Sequence, residues 1–117
     1  MAKKAADTAN GPAATVAIEQ NFPEGTRLID DDLAGRILPF GMRFWVWLTR
    51  SSWMRDWMLG MSEQKAPGVW AIFPCRKRYI EEKVAEAAIG QIEAVVNLGA
   101  GFDTLPYRLD ALANVPV

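Results

Sequence analysis

The sequence predicts an α/β chain in which a helical N-terminal region is followed by the first strand of a parallel sheet. Three observations support this fold class. Apolar residues between Leu28 and Lys65 recur at helical spacing. The run Ala94 to Leu98 is short, apolar and flanked by glycines, which is typical of a strand buried on both faces. It leads directly into Gly99-Ala100-Gly101, a turn of the kind that joins a strand to a helix.

The chain divides into three zones, and its length allows one domain at most. Residues 1–27 are polar and rich in small residues, which predicts a flexible tail and loop. Residues 28–75 form a helical region that could cover a site. Residues 76–117 carry a helix, the strand and the glycine turn, and we expect the chemistry there.

The composition excludes several function classes. The chain has no histidine and a single cysteine, Cys75, so histidine-based triads, zinc sites and internal disulfides lack their residues, and no metal is expected. A net charge of -1 argues against a nucleic-acid partner. No signal peptide is evident, and the most apolar run, Ile37 to Leu48, is too short to span a bilayer. The expected location is the cytoplasm, with no membrane partner.

Local signals predict three helices in the middle zone. The acidic run Asp30 to Asp32 offsets and caps the start of the first helix, and Pro39 ends or kinks it. A second helix is predicted from Phe40 to Thr49. A third follows, capped by Ser51 or Ser52.

Four of the five tryptophans lie between Leu28 and about Lys65. Two functional interpretations are a substrate lid and a membrane-interface anchor. The alternative, which we favour, is that the aromatic side chains pack against another part of the protein. Burial of each large apolar side chain contributes about 1.5–3 kcal/mol, so leaving all of them in water is costly.

A basic triplet, Arg76-Lys77-Arg78, follows the short apolar segment Val69 to Pro74 and is predicted to open a helix that stops at Gly90. Cations near a helix N-terminus are unfavourable. This placement favours a role in holding an anion, and solvated surface charge is the alternative.

The glycine turn limits the kind of ligand. Neither Gly99 nor Gly101 carries a Cβ atom, so the backbone can approach a nucleotide-like cofactor, and Asp103 or Thr104 can cap the next helical turn. Thr104 replaces the third glycine of the dinucleotide fingerprint, and the Asp103 carboxylate would repel a pyrophosphate. S-adenosylmethionine has an adenosine, an amine and a sulfonium but no phosphate, so it fits better.

Two motifs resemble the leucine carboxyl methyltransferase-like family, especially its actinobacterial type of S-adenosylmethionine-dependent methyltransferase. One is the helix start Arg76 to Glu82. The other is Val95 to Thr104, followed by Tyr107-Arg108-Leu109. The upstream Leu28 to Ala34 is also similar to that family's N-terminal helical region, so the resemblance spans about residues 28–109.

The resemblance implies a class I Rossmann-like methyltransferase with a helical lid over the cofactor. Arg76 matches the arginine that contacts the cofactor's carboxylate, and Arg78 takes that role if the register shifts. Gly99-Ala100-Gly101 matches the turn beneath the cofactor. Asp103 either contacts the ligand or caps the turn, and the cap is favoured. Asn97 stands near the place where many relatives carry an acidic residue.

The family also implies parts that these residues do not supply, namely the acidic ribose-binding residue and the later strands. We therefore expect an N-terminal part of a longer domain that by itself binds S-adenosylmethionine weakly or not at all and methylates nothing. The implied reaction is O-methylation of a carboxyl or hydroxyl on a small molecule. No catalytic side chain is nominated, because alignment of donor and acceptor supplies most of the rate. Alternatives are a non-enzymatic, Trp-rich interaction or membrane-surface module, and a nicotinamide oxidoreductase, which Asp103 and Thr104 disfavour.

Overall fold

The computed structural model describes the backbone of residues 2–90 and 92–117, and the side chains of the same residues from Asn10 onward. Within these residues the chain forms six α-helices and a short 3-10 turn. The helices are α1 (Ala2–Glu19), α2 (Ala34–Ile37), α3 (Phe40–Leu48), α4 (Ser52–Lys65), α5 (Val69–Ile89) and α6 (Leu105–Arg108), and the 3-10 turn is Asp110–Leu112.

The core lies along the C-terminal half of α1. Ala13, Val16 and Ala17 pack there against apolar side chains of α2 and the loop before it. The same end of α1 holds that loop through polar contacts. The Glu19 carboxylate accepts the Leu28 N–H at 2.6 Å. The Gln20 amide donates to the Ile29 carbonyl and accepts the Asp31 N–H. The C-terminal end of α1 therefore holds α2 and the loop before it in place.

The prediction of a flexible tail and loop over residues 1–27 is wrong for the part that α1 occupies. Gly11 and Pro12 disfavour a helix locally. The run Val16-Ala17-Ile18 nevertheless presents apolar side chains that the core buries almost completely. Tertiary packing of this apolar end outweighs the unfavourable local helix propensity.

The predicted breaks between the next helices are confirmed. Helix α2 ends at Ile37, and Pro39 stands directly before α3 with an extended backbone. Helix α4 begins after Ser51, although the Ser51 side chain makes no capping hydrogen bond. Asn21 attaches the end of α3 to α1 because its amide donates to the Val46 carbonyl and to the Thr49 hydroxyl.

The aromatic side chains of α3 and α4 are exposed, so the prediction that they are packed away is wrong for the described residues. Trp45, Trp47, Trp53 and Trp57 each keep more than half of their surface accessible. The Cα radius of gyration is 15.3 Å, whereas a compact chain of this length has about 13 Å. The chain is therefore too open to cover these helices. Among the described helices, none has the length and apolar character needed to cross a bilayer.

Helix α5 begins earlier than the sequence predicts. The segment Val69 to Pro74 forms its first turns, with Pro74 buried inside the helix, and Arg76-Lys77-Arg78 lies in its middle. The dipole effect is confined to the first turn, so the expected conflict between the triplet and the helix dipole does not arise. The helix stops at Gly90 as predicted, with an ordinary negative φ of -76°.

The predicted strand over residues 94–98 is not formed, and the described residues contain no strand. Residues 92–98 are neither helix nor sheet, and the Val95 N–H donates to the Pro116 carbonyl at 2.8 Å. A strand needs a partner along its length, but Val96 and Leu98 are 79% and 88% exposed. The helical part of the α/β prediction is confirmed, whereas the start of the sheet is not present in these residues.

A pair of adjacent leucine and isoleucine positions tests the location of the core. Leu38 is 4% exposed in the core cluster, whereas Ile37 is 38% exposed. We expect Leu38→Ala to lower the free energy of unfolding by about 3 kcal/mol, because it leaves a cavity, and Ile37→Ala to lower it by about 1 kcal/mol or less. Urea unfolding followed by circular dichroism measures both values. Equal losses would contradict this placement of the core.

Candidate functional site

The glycine turn connects the extended segment to α6. Gly99 and Gly101 adopt positive φ angles of 67° and 54°, a region that disfavours residues with a side chain. A Cβ atom built at Gly99 would meet nothing within 4 Å, so this stretch of main chain faces open space. The predicted bare backbone is therefore present.

A hydrogen bond between side chains closes the turn. The Asn97 amide donates to Oδ2 of Asp103 at 2.7 Å, and Oδ1 of Asp103 accepts the Leu105 N–H at 3.2 Å. Both carboxylate oxygens of Asp103 are thus engaged within the turn. The predicted capping role of Asp103 is confirmed, and Thr104 caps nothing through its side chain.

A cavity of about 380 Å³ lies between α1, α5 and the glycine turn. This volume is within the range of small-molecule sites. Arg76 and the glycine turn both line this cavity, although Arg76 precedes Gly99 by 23 positions in the chain. The lining residues are Pro12, Ala13, Val16, Phe73, Arg76, Lys77, Ile80, Asn97, Leu98, Gly99, Ala100, Gly101, Phe102, Asp103 and Leu105.

The three residues of the basic triplet Arg76-Lys77-Arg78 point in different directions, because successive residues of a helix are rotated by about 100°. Arg76 lines the cavity and forms no ion pair within the described part of the chain. Arg78 lies outside the cavity, where it pairs with Glu82 at 2.9 Å and donates to the Leu28 carbonyl. The structure therefore brings Arg76, and not Arg78, to the glycine turn.

Lys77 belongs to a buried polar cluster that joins three parts of the chain. Its ammonium donates to Oδ2 of Asp31 at 2.5 Å and to the Thr104 hydroxyl at 2.7 Å. Thr104 in turn donates to Asp31. Arg108 adds its guanidinium, 3.4 Å from Asp31, and also pairs with Glu81. We call Asp31, Lys77, Thr104 and Arg108 the aspartate cluster.

The Asp31 carboxylate is fully buried and serves two structural purposes. Its Oδ1 accepts the N–H groups of Leu33 and Ala34 at the start of α2, which confirms the predicted capping by the acidic run. Burial alone raises the pKa of this carboxyl. Hydrogen bonds from Lys77 and Thr104 and the charges of Lys77 and Arg108 outweigh burial and lower the pKa below its ordinary 3.8.

Sequence reasoning missed the aspartate cluster and the contribution of α1 to the cavity. Asp31 and Lys77 were predicted as parts of an acidic and a basic run, and nothing in either run selects the member that is buried. Pro12, Ala13 and Val16 lie in the zone predicted to be a tail. The apolar run 16–18 was the available signal for a helix that packs there.

Replacing Asp31 tests the cluster. We expect Asp31→Asn to lower the free energy of unfolding by about 3 kcal/mol, because it removes the nearer of the two carboxylates that compensate the largely buried Lys77, the other being Asp103 at 3.8 Å. Asp30→Asn is the matched control. Its side chain is 85% exposed, so the change should be within about 0.5 kcal/mol.

The same variant has a pH signature. The folded-state pKa of Asp31 is lowered, so its ionisation stabilises the parent fully above about pH 4 and is lost as pH falls through the lower folded value. Asp31→Asn should therefore show a smaller loss of stability than the parent between about pH 4 and pH 2. Urea unfolding at several pH values measures this slope, and identical slopes would contradict the burial of an ionised Asp31.

Comparison with known families agrees with the resemblance seen in the motifs. A sequence profile described as leucine carboxyl methyltransferase matches residues 9–117. This range includes most of α1, all later helices and the whole lining of the cavity. Comparisons with curated proteins and with solved structures gave no match. Because the profile covers nearly the whole chain, this protein belongs to the leucine carboxyl methyltransferase family.

Proposed function

We propose that this chain carries the first wall of the S-adenosylmethionine site of a methyltransferase, with the cavity beside the glycine turn as that site. The observation that carries the proposal is the meeting of Arg76 with Gly99-Ala100-Gly101 across one cavity. Membership of a methyltransferase family supports the reaction class.

The residues present fit this cofactor. Arg76 is a cation without an ion-pair partner in the described residues, so a carboxylate in the cavity would compensate it. The bare backbone at Gly99 admits close contact with a flat ring or a ribose. Phe73 and Phe102 give the cavity apolar walls. Asp103 also lines the cavity, and its carboxylate disfavours a phosphate there.

S-adenosylmethionine, when bound, supplies an electrophilic methyl group. The chain's own contribution is positional. Arg76 would hold the carboxylate end, and the glycine turn would support the nucleoside end. The aspartate cluster fixes the distance between them, because Lys77 is adjacent to Arg76 and Thr104 directly precedes α6. Alignment of this kind accounts for much of the rate of a transfer between two bound molecules.

We propose an oxygen nucleophile, a carboxyl or hydroxyl of a small molecule, as the methyl acceptor. A second cavity of about 450 Å³ lies on the other side of the same turn and shares Ala100 to Asp103 with the first. Arg36 lines it together with Ile37 and Tyr107. A cation beside apolar walls suits an acceptor that has an anionic group and an apolar body.

The exposed segment 94–98 supports a further part of the proposal. Val96 and Leu98 present apolar side chains to solvent, and the segment has the β-branched composition of a strand. We propose that it forms the first strand of a Rossmann-like sheet when paired with further strands of the same domain. Because this sheet is not formed in the described residues, the 117-residue chain should bind the cofactor with a Kd weaker than micromolar.

Two neighbouring arginines provide a matched test of the cofactor site. Arg76→Gln should weaken S-adenosylmethionine binding by about tenfold or more, because it removes a charge-assisted contact. Arg78→Gln should change it by less than about twofold, since Arg78 lies outside the cavity. Ligand-observed NMR titration of each variant measures weak affinities of this kind. Equal effects of the two variants would overturn the assignment.

Two glycines provide a second matched pair. Gly99 and Gly25 both adopt positive φ angles with open space at the Cβ position. Alanine at either should lower the free energy of unfolding by about 1–2 kcal/mol. Only Gly99→Ala places a methyl group where the cofactor would lie, so it alone should weaken binding in the same titration. Unchanged binding by Gly99→Ala would show that the turn does not support the ligand.

A further inference from the structure

Helix α3 is apolar on both of its faces. Met42 and Val46 pack against the core cluster beside α1. Phe40, Phe44 and Trp47, spaced four and three apart, lie on the other face and are between 54% and 86% exposed. The rings of Phe44 and Trp47 stack with centroids 6.0 Å apart. A helix that is apolar all round is normally covered on every side, so the outer face of α3 lacks the covering that its composition requires.

Three arginines lie in the groove that this outer face forms. Arg36, Arg43 and Arg50 are seven residues apart and line one groove of about 570 Å³ together with Phe40, Phe44 and Trp47. We call these six residues the arginine–aromatic face. Arg36 is 3.4 Å from Asp32. Within the described part of the chain, Arg43 and Arg50 belong to no ion pair.

The charge of this region differs from that of the chain. Its groove is lined by three arginines and one acidic residue, Asp32, whereas the whole chain has a net charge of -1. A positive field over an exposed aromatic surface attracts an anionic, partly apolar partner. Arginine side chains beside tryptophan and phenylalanine are typical of surfaces that lie in the headgroup region of anionic membranes.

We propose that the arginine–aromatic face docks on the surface of an anionic lipid bilayer. The guanidinium groups of Arg43 and Arg50 bind lipid phosphates, and the side chains of Phe40, Phe44 and Trp47 enter the boundary between headgroups and acyl chains. At nine residues, α3 lies in the plane of the surface and does not cross it. The expectation that a membrane is not a partner rested on the lack of a spanning run, which does not bear on surface binding.

This docking goes beyond methyl transfer and does not depend on the cofactor site. The face belongs to α2 and α3 and the residues after them, whereas the cofactor cavity belongs to α1, α5 and the glycine turn. A variant that loses vesicle binding can therefore still be tested for cofactor binding, and a variant that loses cofactor binding can still be tested on vesicles. A methyltransferase held on a membrane in this way would meet acceptors that partition into lipid.

Vesicle co-sedimentation of the full chain tests the proposal, with phosphatidylcholine vesicles compared with vesicles that also contain phosphatidylglycerol. We expect at least about tenfold stronger partition into the anionic vesicles, falling as salt is raised. An arginine near an anionic surface contributes about fivefold, so Arg43→Gln with Arg50→Gln should lose roughly twentyfold. Lys65→Gln with Lys83→Gln removes the same charge elsewhere and should lose less than about threefold.

The aromatic part has its own control. Phe44→Ala with Trp47→Ala should reduce partition into both kinds of vesicle, whereas Tyr79→Ala, which removes an exposed aromatic ring from α5, should not. Circular dichroism confirms that each variant keeps its helices. Equal binding to neutral and anionic vesicles would overturn the proposal. An arginine variant that binds anionic vesicles as well as the parent would also overturn it. So would sedimentation of the parent in the absence of vesicles if the aromatic variant abolishes it, because a second copy of the chain would then cover the face.

Discussion

The buried carboxylate of Asp31 is the interaction on which the arrangement of the site depends. One of its oxygens accepts two backbone N–H groups at the start of α2, and the other meets Lys77 of α5 and Thr104 beside the glycine turn. A buried charge requires partners, because an uncompensated ion in a protein interior is costly. These partners come from segments 46 and 73 residues away. The need to compensate this one carboxylate thus holds three distant segments of the chain together.

The placement of Arg76 follows from this attachment. Once Lys77 is held by Asp31 and Thr104, helical geometry directs the preceding residue toward the glycine turn and the following one toward solvent. The cavity is then bounded by a cation on α5 and by bare main chain at Gly99. Asp103 has both oxygens occupied within the turn, so it shapes the backbone and leaves the cation as the main charge available to a ligand.

Two of the exposed apolar regions differ in their chemistry. Val96 and Leu98 belong to a segment that forms no strand pairing within the described residues, so its backbone can still join a sheet. The arginine–aromatic face is centred on α3, whose backbone is already hydrogen-bonded, so it can be covered only through side chains. Strand pairing suits the first region. An anionic surface with an apolar interior suits the second, where cations alternate with aromatic rings.

Local signals in the sequence determined the helix breaks at Pro39 and Gly90, the capping by Asp31 and Asp103, and the bare glycine turn, because each depends on residues a few positions apart. The motifs around Arg76 and the turn were also sufficient to identify the family. Tertiary structure decided the rest. It made a helix of the predicted tail because the core buries Val16 to Ile18, and it selected Arg76 over Arg78 through the contacts of Lys77. It left segment 94–98 without a strand partner, because pairing depends on residues distant in sequence, and no local pattern records whether they are in reach.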